Sequence, residues 1–357
     1  MAKEDCEIVL ALLRRAIKKG ASVLVVEHSK DIIANADYVI EFGPASGSKG
    51  GEVVFQGTIE KYRQAKTPTS AYVFSDIAAA VDYERAPNEK AVRMKRKSLT
   101  IKGITKHHLH HFDFRLPLSC LVCVTGRIGT GKSSLLSTVY GALSKDRNAW
   151  KRRKDYISIE GKTNVRRAYF VDQASLSPVS TSTPATYLGI WDVIRDAYAQ
   201  LPESRRKKLS KSSFNLNALV GNKQIRGVTD VRYQGKTILD VLRMTVDEAV
   251  RLFADYPLVA RKLGFLQEVG LGYLTLGQRS HTLSGGEAQR VRLAKILSKK
   301  LGDRCVYILD TPSRGLHLSD LPVLIKVFQK IIDKNNTILI AENREELIRN
   351  CDEVIHL

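Results

Sequence analysis

Apolar residues recur at helical spacing over Glu7–Lys19, with Ile8, Val9, Ala11, Leu12, Leu13, Ala16 and Ile17 on one broad face and Gly20 closing the run. The pattern then shifts to short β-rich runs. Ser22–Glu27 (SVLVVE), Tyr38–Glu41 and Glu52–Phe55 are predicted strands, the last two separated by the Gly/Ser-rich stretch Gly43–Gly51. Residues 1–75 therefore read as one unit. Residues 76–97 are polar and charged, contain Pro87 and read as a linker. Ser98–Ser144 predicts strand, turn, strand, Gly-rich loop and helix. Lys145–Arg279 is poor in motifs, with helical stretches over Ala185–Gln200 and Val246–Val269. A helix over Thr282–Lys300, a strand over Cys305–Leu309, a helix over Leu321–Lys334 and a strand over Thr337–Ala341 follow, and Val354–Leu357 opens another strand. Strands alternating with helices argue an α/β domain with a parallel sheet over 98–357, carrying a mainly helical insertion over 145–279.

Composition narrows the class. A chain of 357 residues with 43% hydrophobic content can bury a sizeable core. No apolar run reaches the length of a membrane span and no signal-peptide core opens the chain, so a cytoplasmic location without membrane contact is expected. Five cysteines, an odd number, fit reduced thiols better than a disulfide framework. The net charge of +20, concentrated in Arg93–Lys97, Lys145–Lys154 and Arg205–Lys211, favours a polyanion such as DNA, held without sequence preference. A solvated basic surface is the plainer reading of the same charge.

Three motifs carry the chemistry. Gly126-Arg-Ile-Gly129-Thr-Gly131-Lys132-Ser133, followed by Ser134, fits the phosphate loop G-x-x-x-x-G-K-[ST] and comes after the apolar strand Leu121–Thr125. The glycines let backbone N–H groups converge on an anion at a helix N-terminus. Lys132 is placed to reach the β- and γ-phosphates of ATP, and the Ser133 hydroxyl to ligate Mg²⁺. Asp310, at the end of the apolar run Val306–Leu309, is the second expected Mg²⁺ partner. Leu283-Ser284-Gly285-Gly286-Glu287-Ala288-Gln289-Arg290 opens a helix and offers a second anion-binding end. In this order the three spell an ABC-type P-loop ATPase lobe with an inserted, mainly helical signature region. Yet Thr311 follows Asp310, where such enzymes place a catalytic Glu.

Two patterns invite a metal and do not persuade. Cys120-Leu-Val-Cys123 has C-x-x-C spacing but lies on a predicted strand, where residues three apart point to opposite faces. His107-His108-Leu-His110-His111 reads as a solvated turn between two strands. No zinc site is expected.

The chain resembles the C-terminal half of the UvrA family, the ATP-binding, damage-sensing component of the ABC excinuclease. The resemblance rests on Leu283–Leu293 (LSGGEAQRVRL), Thr183–Gly189 (TPATYLG), Gly235–Leu242, Met244–Ala249 and Val269–Tyr273 with Leu276–Gln278. Val171-Asp172-Gln173 resembles the family's Q-loop, which implies that Gln173 senses Mg²⁺ and the γ-phosphate. Val25-Val-Glu27-His28 and Ala36–Gly57 resemble the end of the family's first ATPase domain, which makes residues 1–75 a remnant of that domain. The resemblance implies ATP binding by Gly126, Gly129, Gly131, Lys132, Ser133, Ser134, Gln173 and Asp310. It implies that Ser284, Gly285, Gly286 and Gln289 meet nucleotide held by a partner ATPase lobe, which a homodimer or a separate chain would supply. It also implies work on damaged DNA in nucleotide excision repair, with the excinuclease component UvrB as a further partner.

The departures bear on hydrolysis and DNA contact. The family's Cys-rich zinc module is missing between Asn217 and Val228, and the family's Arg-containing loop appears as Ala174–Thr183 without a basic residue. The family pattern D-E-P-T-T-G-L-H reads Asp310-Thr-Pro-Ser-Arg-Gly-Leu-His317, and the switch histidine aligns with Asn343. A nucleotide-binding subunit that hydrolyses slowly or not at all, as a scaffold or a drug-resistance relative, is the alternative to an active ATPase.

Overall fold

The computed structural model describes residues 3–43, 50–74, 97–144, 155–171, 182–216, 227–298, 302–316 and 321–357. The linker expected over 76–97 falls almost wholly outside these residues, as does Gln173. The chain divides into two compact units, one of Met1–Asp172 with Gly302–Leu357 and one of Gln173–Leu301.

The strands, all in the first unit among the described residues, are β1 (Tyr38–Gly43), β2 (Glu52–Thr58), β3 (Ser98–Lys106), β4 (Leu109–Pro117), β5 (Leu121–Thr125), β6 (Ser158–Glu160), β7 (Arg167–Val171), β8 (Cys305–Asp310), β9 (Thr337–Ala341) and β10 (Glu353–His356). Five of them form a parallel sheet in the order β10-β5-β9-β8-β7. Its central strands read as continuous apolar runs, LVCVT in β5 and TILIA in β9, and every residue of both is buried. That is the signature of a parallel sheet covered on both faces. The helix Lys132–Leu143 covers one face, with Leu135, Leu136 and Val139 packed into the cluster that includes Val306, Ile308 and Leu339. The strongly amphipathic helix Leu321–Ile332 leads directly into β9. β3, β4 and β6 form a separate antiparallel sheet, and Ile101, Phe114 and Leu116 join the same core. β6 and β7 lie inside the stretch read from sequence as a helical insertion over 145–279. β7, with the sequence RAYFV, is a short edge strand that its pairing with β8 identifies.

The second unit is helical among the described residues. The expected helix over 185–200 is two, Pro184–Tyr187 and Trp191–Gln200, because Gly189 takes φ +66°. The expected helix over 246–269 is likewise Val246–Leu252 and Pro257–Glu268, since Pro257 cannot donate a backbone hydrogen bond and sits at the first turn of the second. Reciprocal capping boxes at Thr183 and Thr245 set two of these starts, and a third at Thr237 opens a further helix, Ile238–Arg243. Tyr198, Phe214, Tyr233 and Phe253 form an aromatic core, with Tyr233 stacked on Phe253 at 5.7 Å.

Ser22–Glu27 departs from its pattern. It joins no strand among the described residues, and Leu24 and Val26 are each 90% exposed. The segment nonetheless repeats the end of the chain. Residues 22–42 and 337–357 share Leu, Glu, Ile, Asn, Asp and Val-Ile in register, from Leu24/Leu339 and Glu27/Glu342 to Ile40/Ile355. The local hydrogen bonds repeat too. Asn35 Nδ2 donates to Asp31 O and Asn350 Nδ2 to Glu346 O, both at 2.8 Å. Glu27 accepts from the amides of His28 and Ser29 at 2.8 and 3.2 Å, and Glu342 from those of Asn343 and Arg344 at the same distances. In the second copy, β9 is flanked by β5 and β8; in the first, the equivalent run has no sheet around it among the described residues.

Ile8, Leu12, Ile40 and Phe42 are also exposed in residues 1–74. An apolar surface of this extent on so short a segment leaves too little buried area to offset chain entropy. A polypeptide of residues 1–75 is therefore expected to show no cooperative thermal transition by circular dichroism. A single sharp unfolding transition from a monomer would contradict this.

Candidate nucleotide-binding site

The phosphate loop leaves β5 at its carboxyl end. Gly126, Gly129 and Gly131 have φ of +150°, +90° and +101°. A Cβ on Gly126 would lie 2.5 Å from the Leu357 carbonyl oxygen, so both backbone angle and space require glycine there. At Gly129 the added Cβ would meet nothing, and that side of the loop is open. The loop runs into the helix Lys132–Leu143, whose first turn directs its amides outward. Lys132 Nζ donates to the carbonyls of Gly126 and Arg127 at 2.5 and 2.7 Å, curled over its own loop. Burial pushes its pKa down, while Asp5, Asp310 and Glu342 oppose that shift. An anion in the loop would act in the same sense as these carboxylates and hold the ammonium charged.

Asp310 ends β8. Its Oδ2 accepts from Ser133 Oγ at 2.8 Å, so the two oxygens expected at Mg²⁺ already meet. Two hard oxygen donors beside a Lys-bearing anion nest suit Mg²⁺ bound together with a phosphate chain. These residues fit the group that the motif implies. Thr311 follows with φ +49°, a sterically unfavourable region for a β-branched residue. Its amide donates to Ala341 O at 2.9 Å, and its hydroxyl donates to Asp310 Oδ1 at 3.2 Å. The side chain standing where a catalytic carboxylate is expected is thus turned onto Asp310.

Asn343 follows β9 by two residues. Its Oδ1 accepts from Thr125 Oγ1 at 2.9 Å and from Gly126 N at 3.1 Å. An amide N–H can only donate, so the atom facing Gly126 is the carboxamide oxygen. Asn343 is therefore tied to the first residue of the phosphate loop. The sheet brings these pieces together by register alone, since Val124 and Asp310 both lie opposite Ala341 across the ladders on either side of β9.

Sequence reasoning missed two groups here. Asp5, from the helix Lys3–Lys18, accepts from the Ile128 amide at 3.1 Å and lies 3.9 Å from Arg127 Nε. Glu342, 4% exposed, accepts from four donors described below. Only the repeated Glu of residues 22–42 and 337–357 hints at the second, and no local signal marks the first.

In the second unit, Ser284 and Glu287 cap the helix Gly285–Ser298 reciprocally, with Ser284 N donating to Glu287 Oε2 at 2.8 Å and Glu287 N to Ser284 Oγ at 3.2 Å. Tyr273 Oη donates to Glu287 Oε1 at 2.7 Å and braces the cap. Ser284 and Gly285 are exposed, whereas Gly286 and Gln289 are buried. Of the decoys, Cys120 donates to Pro117 O and Cys123 to Glu342 O, both buried, and His107, His108, His110 and His111 are exposed on the β3–β4 hairpin. Among the described residues, no group of His, Cys, Asp and Glu is arranged to hold a metal. No helix among them is long and apolar enough to cross a membrane.

Comparison with known proteins places the chain in a family. Residues 109–314 match the ABC transporter family. The chain is 36% identical to UvrABC system protein A of Aquifex aeolicus over 372 residues, covering 95% of this chain and 39% of that protein. It is 34% identical to the Thermus thermophilus protein of the same name, covering 99% of this chain and 40% of that one. The structure of UvrA2 from Deinococcus radiodurans superposes with a TM-score of 0.87 at 31% identity, over 100% of this chain and 46% of that chain. The chain thus spans about two fifths of the length of the curated relatives it matches.

Proposed function

This chain belongs to the ABC transporter family and is a homologue of UvrABC system protein A, and from that premise we propose that it binds Mg²⁺–ATP in its own phosphate loop and serves DNA repair with a partner lobe. The observation that carries the reading is the convergence of Lys132, Ser133, Asp310 and Asn343 at the carboxyl ends of three adjacent parallel strands. Gly126, Gly129 and Gly131 shape the anion nest, with Ser134 in the first helical turn. Lys132 turns from its own carbonyls to the phosphates. Ser133 and Asp310 would hold Mg²⁺, which would supply charge neutralisation at the phosphates. Gln173, outside the described residues, is a further Mg²⁺ and γ-phosphate contact on the family resemblance alone. Ser284, Gly285 and Gly286 would face nucleotide held by the partner lobe.

The repeat of 337–357 in 22–42 supports reading residues 1–75 as the closing part of a first ATPase domain, joined by 76–97 to a second over 98–357 with its insertion. His28 then stands where Asn343 stands in the second copy. The exposed basic run Arg205–Lys208, with the overall charge of +20, supports DNA as a partner, in the cytosol. UvrB as a further partner rests on family membership alone.

Hydrolysis is expected to be slow. A positioned carboxylate base contributes roughly 10²–10⁴-fold in rate, and the Thr311 hydroxyl is already donated to Asp310. Phosphate release by the full chain at saturating ATP should stay near background, although ATP binds and Lys132→Ala weakens that binding more than about tenfold. Thr311→Glu with Asn343→His, assayed with a partner lobe present, should raise turnover at least about tenfold. Brisk wild-type turnover that disappears in Lys132→Ala would return this chain to the active ATPases. Duplex DNA affinity should fall steeply across a rising salt series, as counterion release requires. A flat response would show that the basic clusters do not touch phosphate.

A further inference from the structure

Glu342 is a buried carboxylate that the nucleotide-binding reading leaves without a task. Its Oε2 accepts from the Ser313 amide at 3.2 Å and from the Ser313 hydroxyl at 2.5 Å. Its Oε1 accepts from the amides of Asn343 and Arg344 at 2.8 and 3.2 Å. Its own amide donates to Val124 O, the residue before Thr125 in β5. One side chain thus joins the loop after β8, the loop after β9 and, through its backbone, the strand that launches the phosphate loop. Four donors occupy both carboxylate oxygens, so neither is left to take a proton from water. Glu342 does not replace the base missing at Thr311.

The N-terminal repeat separates the two halves of this arrangement. Glu27 caps the amides of His28 and Ser29 at the same distances, with no sheet around it among the described residues. The amide-capping turn is therefore intrinsic to the local sequence, as in an Asx- or Glx-type turn. What Glu342 adds is the reach to Ser313. That reach matters because the two loops it bridges carry Thr311 and Asn343, which flank the open end of the phosphate loop. A second brace runs in parallel. Arg344 donates to Leu316 O at 2.9 Å and pairs with Glu346 at 3.4 Å, and Glu346 accepts from Tyr72 Oη at 2.7 Å. Burial first, then this bond, pushes the Tyr72 hydroxyl up to about 12, so it stays a donor at every working pH.

We propose that Glu342 is a positioning residue for recognition of the terminal phosphate. Resting on the reading that this site binds Mg²⁺–ATP, the proposal assigns it the task of locking the β8 and β9 loops into one rigid unit. In that unit the Asn343 carboxamide oxygen is held against Gly126 and Thr125, which leaves its Nδ2 as the group that would donate to a γ-phosphate. Charge-assisted hydrogen bonds to backbone amides suit this task, because they fix loop geometry without a flexible side-chain partner. The amides of Gly129–Ser134, which would receive the α- and β-phosphates, are not among the partners of the Glu342 side chain. Glu342 therefore acts on the choice between ATP and ADP rather than on nucleotide affinity in general.

The test is equilibrium binding of Mg²⁺–ATP and Mg²⁺–ADP to the full-length chain, as wild type, Glu342→Ala, Glu342→Gln and Ser313→Ala. Glu342→Ala should lower the preference for ATP over ADP about tenfold, with ADP affinity within about twofold of wild type. Glu342→Gln keeps an acceptor for only one loop and should give an intermediate ratio. Ser313→Ala removes one hydroxyl donor outside the amide cap and should shift the ratio the same way, by about threefold. It also keeps the question open to measurement if Glu342→Ala does not fold. Equal loss of ATP and ADP affinity would mean a merely structural role, and an unchanged ratio in Ser313→Ala and Glu342→Gln would overturn the proposal. A wild type that binds neither nucleotide would instead sink the underlying reading, and this inference with it.

Discussion

Everything at the site depends on three parallel strands lying side by side and buried on both faces. Parallel neighbours place all their carboxyl ends at one edge of the sheet, and ligands of open α/β sheets gather at that edge. Here β5, β9 and β8 deliver the phosphate loop, the Glu342–Asn343 pair and Asp310–Thr311 within hydrogen-bond reach, although the first and last are separated by about half of the chain. The apolar runs LVCVT, TILIA and VYIL are the physical origin of this. A register slip in any of them would carry its loop off the site and turn its side chains to the wrong face.

The fold was legible where chemistry and periodicity agree. The phosphate loop, with strand before and helix after, is readable from Leu121–Leu143 alone, and the order of motifs identified the ABC lobe. Asp310 and the missing Glu at Thr311 were also visible. Ser22–Glu27 shows where pattern fails. Its composition is that of a buried parallel strand, but a strand exists only with partners, and none flanks it among the described residues. β7 shows the converse, since the five-residue run RAYFV is too short for periodicity to tell strand from helix and is a strand because β8 is there to pair with. The broken helices at Gly189 and Pro257 were errors of length rather than type. Glu342 and Asp5 were missed because their roles come from tertiary contacts to residues far away in sequence.

The altered residues at the site follow one logic. Thr311 turns its hydroxyl onto Asp310, and Asn343 turns its oxygen onto Gly126 and Thr125. Both satisfy neighbours in the phosphate loop and at the end of β8, and neither presents a titratable group to water. The lobe proposed above would then act as a nucleotide-dependent clamp, with its population of states set by what is bound rather than by how fast it is cleaved.

The most direct measurement of that account is amide hydrogen exchange of the full-length chain with and without Mg²⁺–ATP. Convergence of the three loops predicts that nucleotide slows exchange together in Gly126–Ser134, Asp310–Ser313 and Glu342–Arg344, and that the protection persists because the nucleotide is not consumed. Protection confined to the phosphate loop, or lost within minutes as ATP is turned over, would contradict it.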